Sequence, residues 1–67
     1  MKQETYYVVV NGDGKYLSAG IDWSCQEVWY EYQEGFDPDC LYDIIQASQL
    51  AAKYNGTVKE VTITIKD

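Results

Sequence analysis

The chain has 67 residues, 46% of them hydrophobic, a net charge of −6 and neither histidine nor arginine, which describes one small acidic α+β domain over residues 1–67. The charge excludes a surface for nucleic-acid phosphates. The absent histidine excludes Ser-His and Cys-His catalysis, and no apolar run approaches the ~20 residues of a membrane span.

Residues 1–4 are polar and read as a frayed end. Residues 5–10 (T-Y-Y-V-V-V) are β-branched and aromatic on both parities, as in a central strand with both faces at least partly covered. Asn11-Gly12-Asp13-Gly14 is turn chemistry, and residues 15–18 (K-Y-L-S) return as the second arm of a hairpin. In residues 19–25, Ala19-Gly20 suggests a bend and Ile21 and Trp23 suggest anchors. Residues 26–33 (Q-E-V-W-Y-E-Y-Q) form a third strand, with Val28, Tyr30 and Tyr32 on one face and Glu27, Trp29, Glu31 and Gln33 on the other.

Residues 37–56 carry a full set of helix signals. Asp37 is suited to the N-cap, Pro38 to the first helical position, and Asn55-Gly56 to a left-handed stop. Asp39 and Asp43 suit the positive end of the dipole and Lys53 the negative end. Leu41, Ile44, Ile45, Ser48, Ala51 and Ala52 fall on one stripe, with Leu50 near the far side beside Asp43 and Gln46. Phe36, just before the cap, is placed to staple the first turn. In residues 57–66, Val61, Ile63 and Ile65 alternate with Glu60, Thr62 and Thr64 as a buried and a wet face. Val58 breaks that parity, so it packs under the helix end or marks a bulge near residues 59–60.

The order β-β-β-α-β predicts one four-stranded sheet, order 4-1-2-3, with a single helix on one face. Strand 4 is expected parallel to strand 1 through a right-handed crossover. The second face, partly lined by Tyr or Trp, has no second layer in this scheme and is either solvated or an interface.

Chemistry is sparse. Cys25 and Cys40 form no C-x-x-C pattern, and with no leader at M-K-Q-E-T the expectation is a pair of reduced thiols in the cytosol. Cys40 lies near a helix start, but Asp37, Asp39 and Asp43 oppose thiolate formation. Glu27 and Glu31 share a strand face without the burial that acid/base work needs. Glu34, Asp37, Asp39 and Asp43 match no calcium-loop spacing and read first as complements to a helix dipole. No catalytic residue, cofactor or metal is expected.

The placement of charge is the sharpest feature. Residues 16–52 contain no lysine but seven acids, Asp22, Glu27, Glu31, Glu34, Asp37, Asp39 and Asp43, whereas the remainder has five lysines against four acids. Aromatic residues interleave with the acids. Spaced carboxylates on a rigid surface imitate a row of phosphates, and aromatics add the contact area that charge alone lacks. The plain alternative is a solvated acidic face that keeps the chain soluble.

The stretch Y-Y-V-V-V-N-G-D-G-K-Y-L-S, the tryptophan soon after it, the helix end A-A-K-Y-N-G and the closing T-V-K-E-V-T-I resemble small proteins encoded by bacteriophages and prophages of Gram-positive bacteria. The resemblance implies a place in the host bacterial cytosol and, by analogy, an anti-CRISPR-like inhibitor. On these grounds Glu27, Trp29, Glu31, Glu34, Asp37, Asp39 and Asp43 are the expected partner-binding residues. The expected partner is a basic, nucleic-acid-binding host protein, with no direct contact to nucleic acid or membrane. The alternative is an oligomerising module, a homodimer through the exposed aromatic sheet face; a carboxylate-bound metal is a third reading.

Overall fold

The computed structural model describes residues 1–21 and 28–66. Four strands, β1 (Lys2–Val10), β2 (Tyr16–Ile21), β3 (Val28–Gln33) and β4 (Thr57–Ile65), form one sheet, and one helix, α1 (Ile44–Tyr54), packs on it. The sheet order is β3-β2-β1-β4, the expected order read from the other edge, and every pairing is antiparallel. The fold is therefore α+β, as the element order predicts. Among the described residues no helix is long and apolar enough to cross a membrane.

The sheet is two ribbons joined at one end. β1 and β4 pair without interruption from Lys2–Ile65 to Val10–Thr57, and β2 and β3 from Tyr16–Gln33 to Ile21–Val28. Between the ribbons the register holds a single pair, Val10–Tyr16, beside the hairpin turn. Asn11 closes that turn: its Oδ1 accepts the amides of Asp13 (2.9 Å) and Lys15 (3.0 Å). Beyond Val10–Tyr16 the strands diverge and leave a notch.

The chain uses the notch to change faces. Alternation along paired strands places Leu17, Ala19, Tyr30, Tyr32, Tyr7, Val9 and Val58 on one face and Tyr16, Ser18, Glu31, Gln33 and Val8 on the other. After β3, a 3₁₀ turn over Pro38–Cys40 lies on the second face, where Gln33 reaches Asp37 and Phe36 meets Tyr16 edge-on at 5.6 Å. Tyr42 then enters the notch. Its amide and carbonyl pair with those of Tyr7, both at 2.8 Å, and its hydroxyl donates to the Leu17 carbonyl at 3.0 Å. One residue thus ties β1 to β2. From there the chain emerges on the first face and enters α1.

This route overturns the parallel β4. β3 ends beside the hairpin, and residues 34–43 already carry the chain away from it, as the antiparallel Tyr7–Tyr42 bridge shows. α1 climbs back, bringing Gly56 against Val9 and the Val10 carbonyl, so β4 must descend antiparallel to β1. A Cβ on Gly56 would also stand 2.5 Å from the Tyr32 hydroxyl, and glycine is what permits the close crossing.

Several local expectations change with it. Asp37 caps, and Pro38 opens, only the 3₁₀ turn; the helix itself starts at Ile44, capped by Asp43, whose Oδ1 accepts the Gln46 amide at 2.7 Å. The helix stops at Asn55 in the left-handed region (φ 59°), as the sequence indicates. The buried stripe is Ala47, Leu50, Ala51 and Tyr54, whereas Ile45 is 70% exposed and Ile44 half-exposed. Tyr54 carries amphipathic weight that an aliphatic pattern overlooks. β1 starts at Lys2, so residues 2–4 are paired and not frayed, and residues 19–21 extend β2 where a bend is expected. Ile21 is exposed and no anchor; Trp23 lies outside the described residues. In β4, Val58 joins the core with no bulge in the register, while Val61, Ile63 and Ile65 face away from α1.

The core is built largely of tyrosine. Val9, Leu17, Tyr42, Ala47 and Leu50 are buried, with Tyr7, Tyr30, Tyr32 and Tyr54 against them. Tyr30 packs on Tyr42 (6.2 Å between centroids) and Tyr54 (5.8 Å), and the Tyr32 hydroxyl donates to the Tyr54 carbonyl at 3.0 Å. A short chain thereby fills its core with large rings while their hydroxyls satisfy strand and helix carbonyls.

Candidate functional site

The second face of the β2–β3 ribbon gathers most of the residues singled out by charge. Trp29 and Glu31 project from β3 on the same side as Gln33, opposite Gly20 and Ser18. A Cβ on Gly20 would meet the Trp29 indole at 2.6 Å, so the ring lies directly over the bare glycine backbone and remains 45% exposed. Gly20 is thus a seat for Trp29.

The 3₁₀ turn stands on the same face. Gln33 Nε2 donates to Asp37 Oδ2 at 2.8 Å, and Asp37 Oδ1 accepts the Asp39 amide at 2.9 Å and the Cys40 thiol at 3.5 Å. The Gln33 amide holds the Asp37 carboxyl below its ordinary value; partial desolvation opposes this, and the Cys40 and Asp39 donors add to it. Asp37 is therefore a brace between strand and turn. Burial pushes the Cys40 thiol up, and its fully buried side chain leaves it a packing residue with weak donor character.

Glu31, Glu34 and Asp39 are exposed, and among the described residues none of them forms an ion pair; the pair found there is Lys2–Glu4 at 3.5 Å, on the other ribbon. Asp43 separates from the group. The chain has crossed the notch before it, and its carboxylate caps α1. Glu27 lies outside the described residues. Trp29, Glu31, Asp37 and Asp39 thus share one face, Glu34 adjoins them in the connection after β3, and Asp43 serves the helix. No set of three or more Asp, Glu or Cys among the described residues is arranged to hold a metal ion.

Local reading of the sequence misses Gln33 and Gly20. Gln33 shares strand parity with Trp29 and Glu31, which was a usable signal. The Gly20–Trp29 stack depends on register between strands, which no local pattern contains. No protein-family model, no curated protein and no solved structure matches this chain.

Proposed function

We propose that the chain is a non-enzymatic interaction protein whose acidic–aromatic face occupies a basic, nucleic-acid-binding surface of a host protein and blocks it. The observation that supports this most is the grouping of Trp29, Glu31 and Asp39 on one braced face whose exposed acids have no ion-pair partner among the described residues. Unpaired carboxylates gain most from meeting lysine or arginine, and a fixed indole beside them supplies the desolvated contact on which affinity depends. Gln33 and Asp37 hold the turn on the strand, so little ordering is left to binding. The resemblance to phage-encoded proteins suggests a bacterial host protein as the partner, with an anti-CRISPR-like inhibitor as the nearest analogy.

Capture from bacterial lysate on the immobilised chain tests this. A nucleic-acid-binding protein is expected to be retained at low salt, released by added salt or by competing nucleic acid, and lost to the double variant Glu31→Lys with Asp39→Lys, whose circular dichroism stays native. Retention unchanged by salt and by that variant would overturn the proposal.

A further inference from the structure

β4 is an outer edge of the sheet, and among the described residues no strand pairs with its far side. Its hydrogen-bonding pattern follows from Tyr7. The Tyr7 amide and carbonyl are turned to Tyr42, away from β4. Antiparallel alternation then directs the main-chain groups of Thr57, Lys59, Val61, Ile63 and Ile65 toward β1, and those of Val58, Glu60, Thr62 and Thr64 outward. This edge contains no proline, glycine or bulge and has two charges, Lys59 and Glu60. Edges of this length are usually blunted or covered.

We infer that the β4 edge pairs antiparallel with β4 of a second copy, extending the sheet across a two-fold axis at Val61. Val61 is the middle residue of Thr57–Ile65, and the outward groups at residues 58, 60, 62 and 64 are placed symmetrically about it. The axis sets Val61 against Val61 of the second copy, Glu60 against Thr62, and Val58 against Thr64, with main-chain hydrogen bonds in the latter two pairs. Like charges never stand opposite. A shift of the axis to Glu60 would place two glutamates face to face, which disfavours that register. On the face away from α1, Tyr6, Val61, Ile63 and the 42%-exposed Ile65 of the two copies would form one continuous apolar strip.

Charge selects a second copy as the occupant. The β1–β4 ribbon balances Lys2 and Lys59 against Glu4 and Glu60, whereas among the described residues the β2–β3 ribbon and the turn on it bear Glu31, Glu34, Asp37 and Asp39 and no lysine. Joining β4 to β4 brings the balanced ribbons together and leaves the acidic ones at opposite ends of the widened sheet, so self-repulsion is least in this arrangement. It also leaves the acidic–aromatic face free.

Sedimentation equilibrium of the full chain over a range of concentration and salt tests this. The expected result is a two-fold mass at high concentration that persists or strengthens in salt, the opposite of the salt response expected for the acidic face. Thr62→Pro removes an outward amide, which an edge strand tolerates when unpaired, and is expected to give a monomer with native circular dichroism. Thr62→Glu, which sets like charges opposite at Glu60 of the second copy, is expected to do the same without touching the backbone. A wild-type monomer at every concentration, or folded variants that remain dimeric, would overturn the inference.

Discussion

The two ribbons of the sheet solve the same problem differently. β1–β4 is long, uninterrupted, rich in β-branched residues and balanced in charge; cross-strand pairs run its whole length, and Tyr7, Val9 and Val58 set it against α1. β2–β3 is shorter and acidic, and it is sandwiched. α1 lies closest to β1 and β4 and meets one face of β2–β3 through the Tyr30, Tyr32 and Tyr54 side chains, and the 3₁₀ turn braces the other face. The contrast teaches that the β2–β3 ribbon, though paired along its length, is joined to the rest of the sheet largely by groups that arrive from elsewhere in the chain. Tyr42 is chief among them, because it bonds β1 through its backbone and β2 through its hydroxyl.

The largest effect should therefore follow from Tyr42→Ala. Tyr42 is only 4% exposed, and truncation of a buried aromatic costs about 3–5 kcal/mol, a large share of what so short a chain has. Tyr42→Phe keeps the ring but leaves the Leu17 carbonyl without its donor, at about 1–3 kcal/mol. Urea melts of the two variants should rank them in that order; equal midpoints would show that the hydroxyl, not the ring, joins the ribbons.

Alkali probes the same residue. Burial, followed by the nearby Cys40, Tyr30, Asp39 and Asp37, pushes the Tyr42 hydroxyl up from 10.0 to about 12. Both states are neutral below pH 10, so the stability is fully present there. Between pH 10 and about 12 the unfolded chain ionises at this site and the folded chain does not, so stability falls by roughly 2–3 kcal/mol. Melting temperature followed over that range should drop in wild type and drop less in Tyr42→Phe; parallel slopes would place the linkage on other residues.

Much of this was legible in the sequence, and the losses share one cause. The hairpin turn at residues 11–14, the Asn55 stop and the face division of β3 all depend on neighbours in the chain. The helix start does not. Asp37 and Pro38 do the local chemistry expected of them, but for one 3₁₀ turn, because Tyr42 is drawn into extended pairing with Tyr7, a residue 35 positions earlier. That competition also reversed β4 and moved the buried stripe from Ile44 and Ile45 to Ala47, Leu50 and Tyr54. Within the candidate site, strand parity placed Trp29 and Glu31 together, and Asp43 was lost from the group for the same reason that the helix start moved.

The smallest effect should come from Gly20→Ala. The added Cβ displaces the Trp29 indole from its seat, at a cost below about 1 kcal/mol. In a Trp23→Phe background the Trp29 emission should shift to the red while the melt barely moves; an unshifted spectrum would show that the stack does not fix the ring.

The proposed working surface is the braced acidic ribbon, and a pair of charge swaps tests that most directly. Glu31→Lys with Asp39→Lys changes the net charge by the same amount as Glu4→Lys with Glu60→Lys, but on the other ribbon. Affinity for the captured basic partner, measured by titration calorimetry, should fall at least a hundredfold for the first double variant and by less than about threefold for the second. Equal losses would mean that net charge alone governs binding and would contradict the assignment of the site.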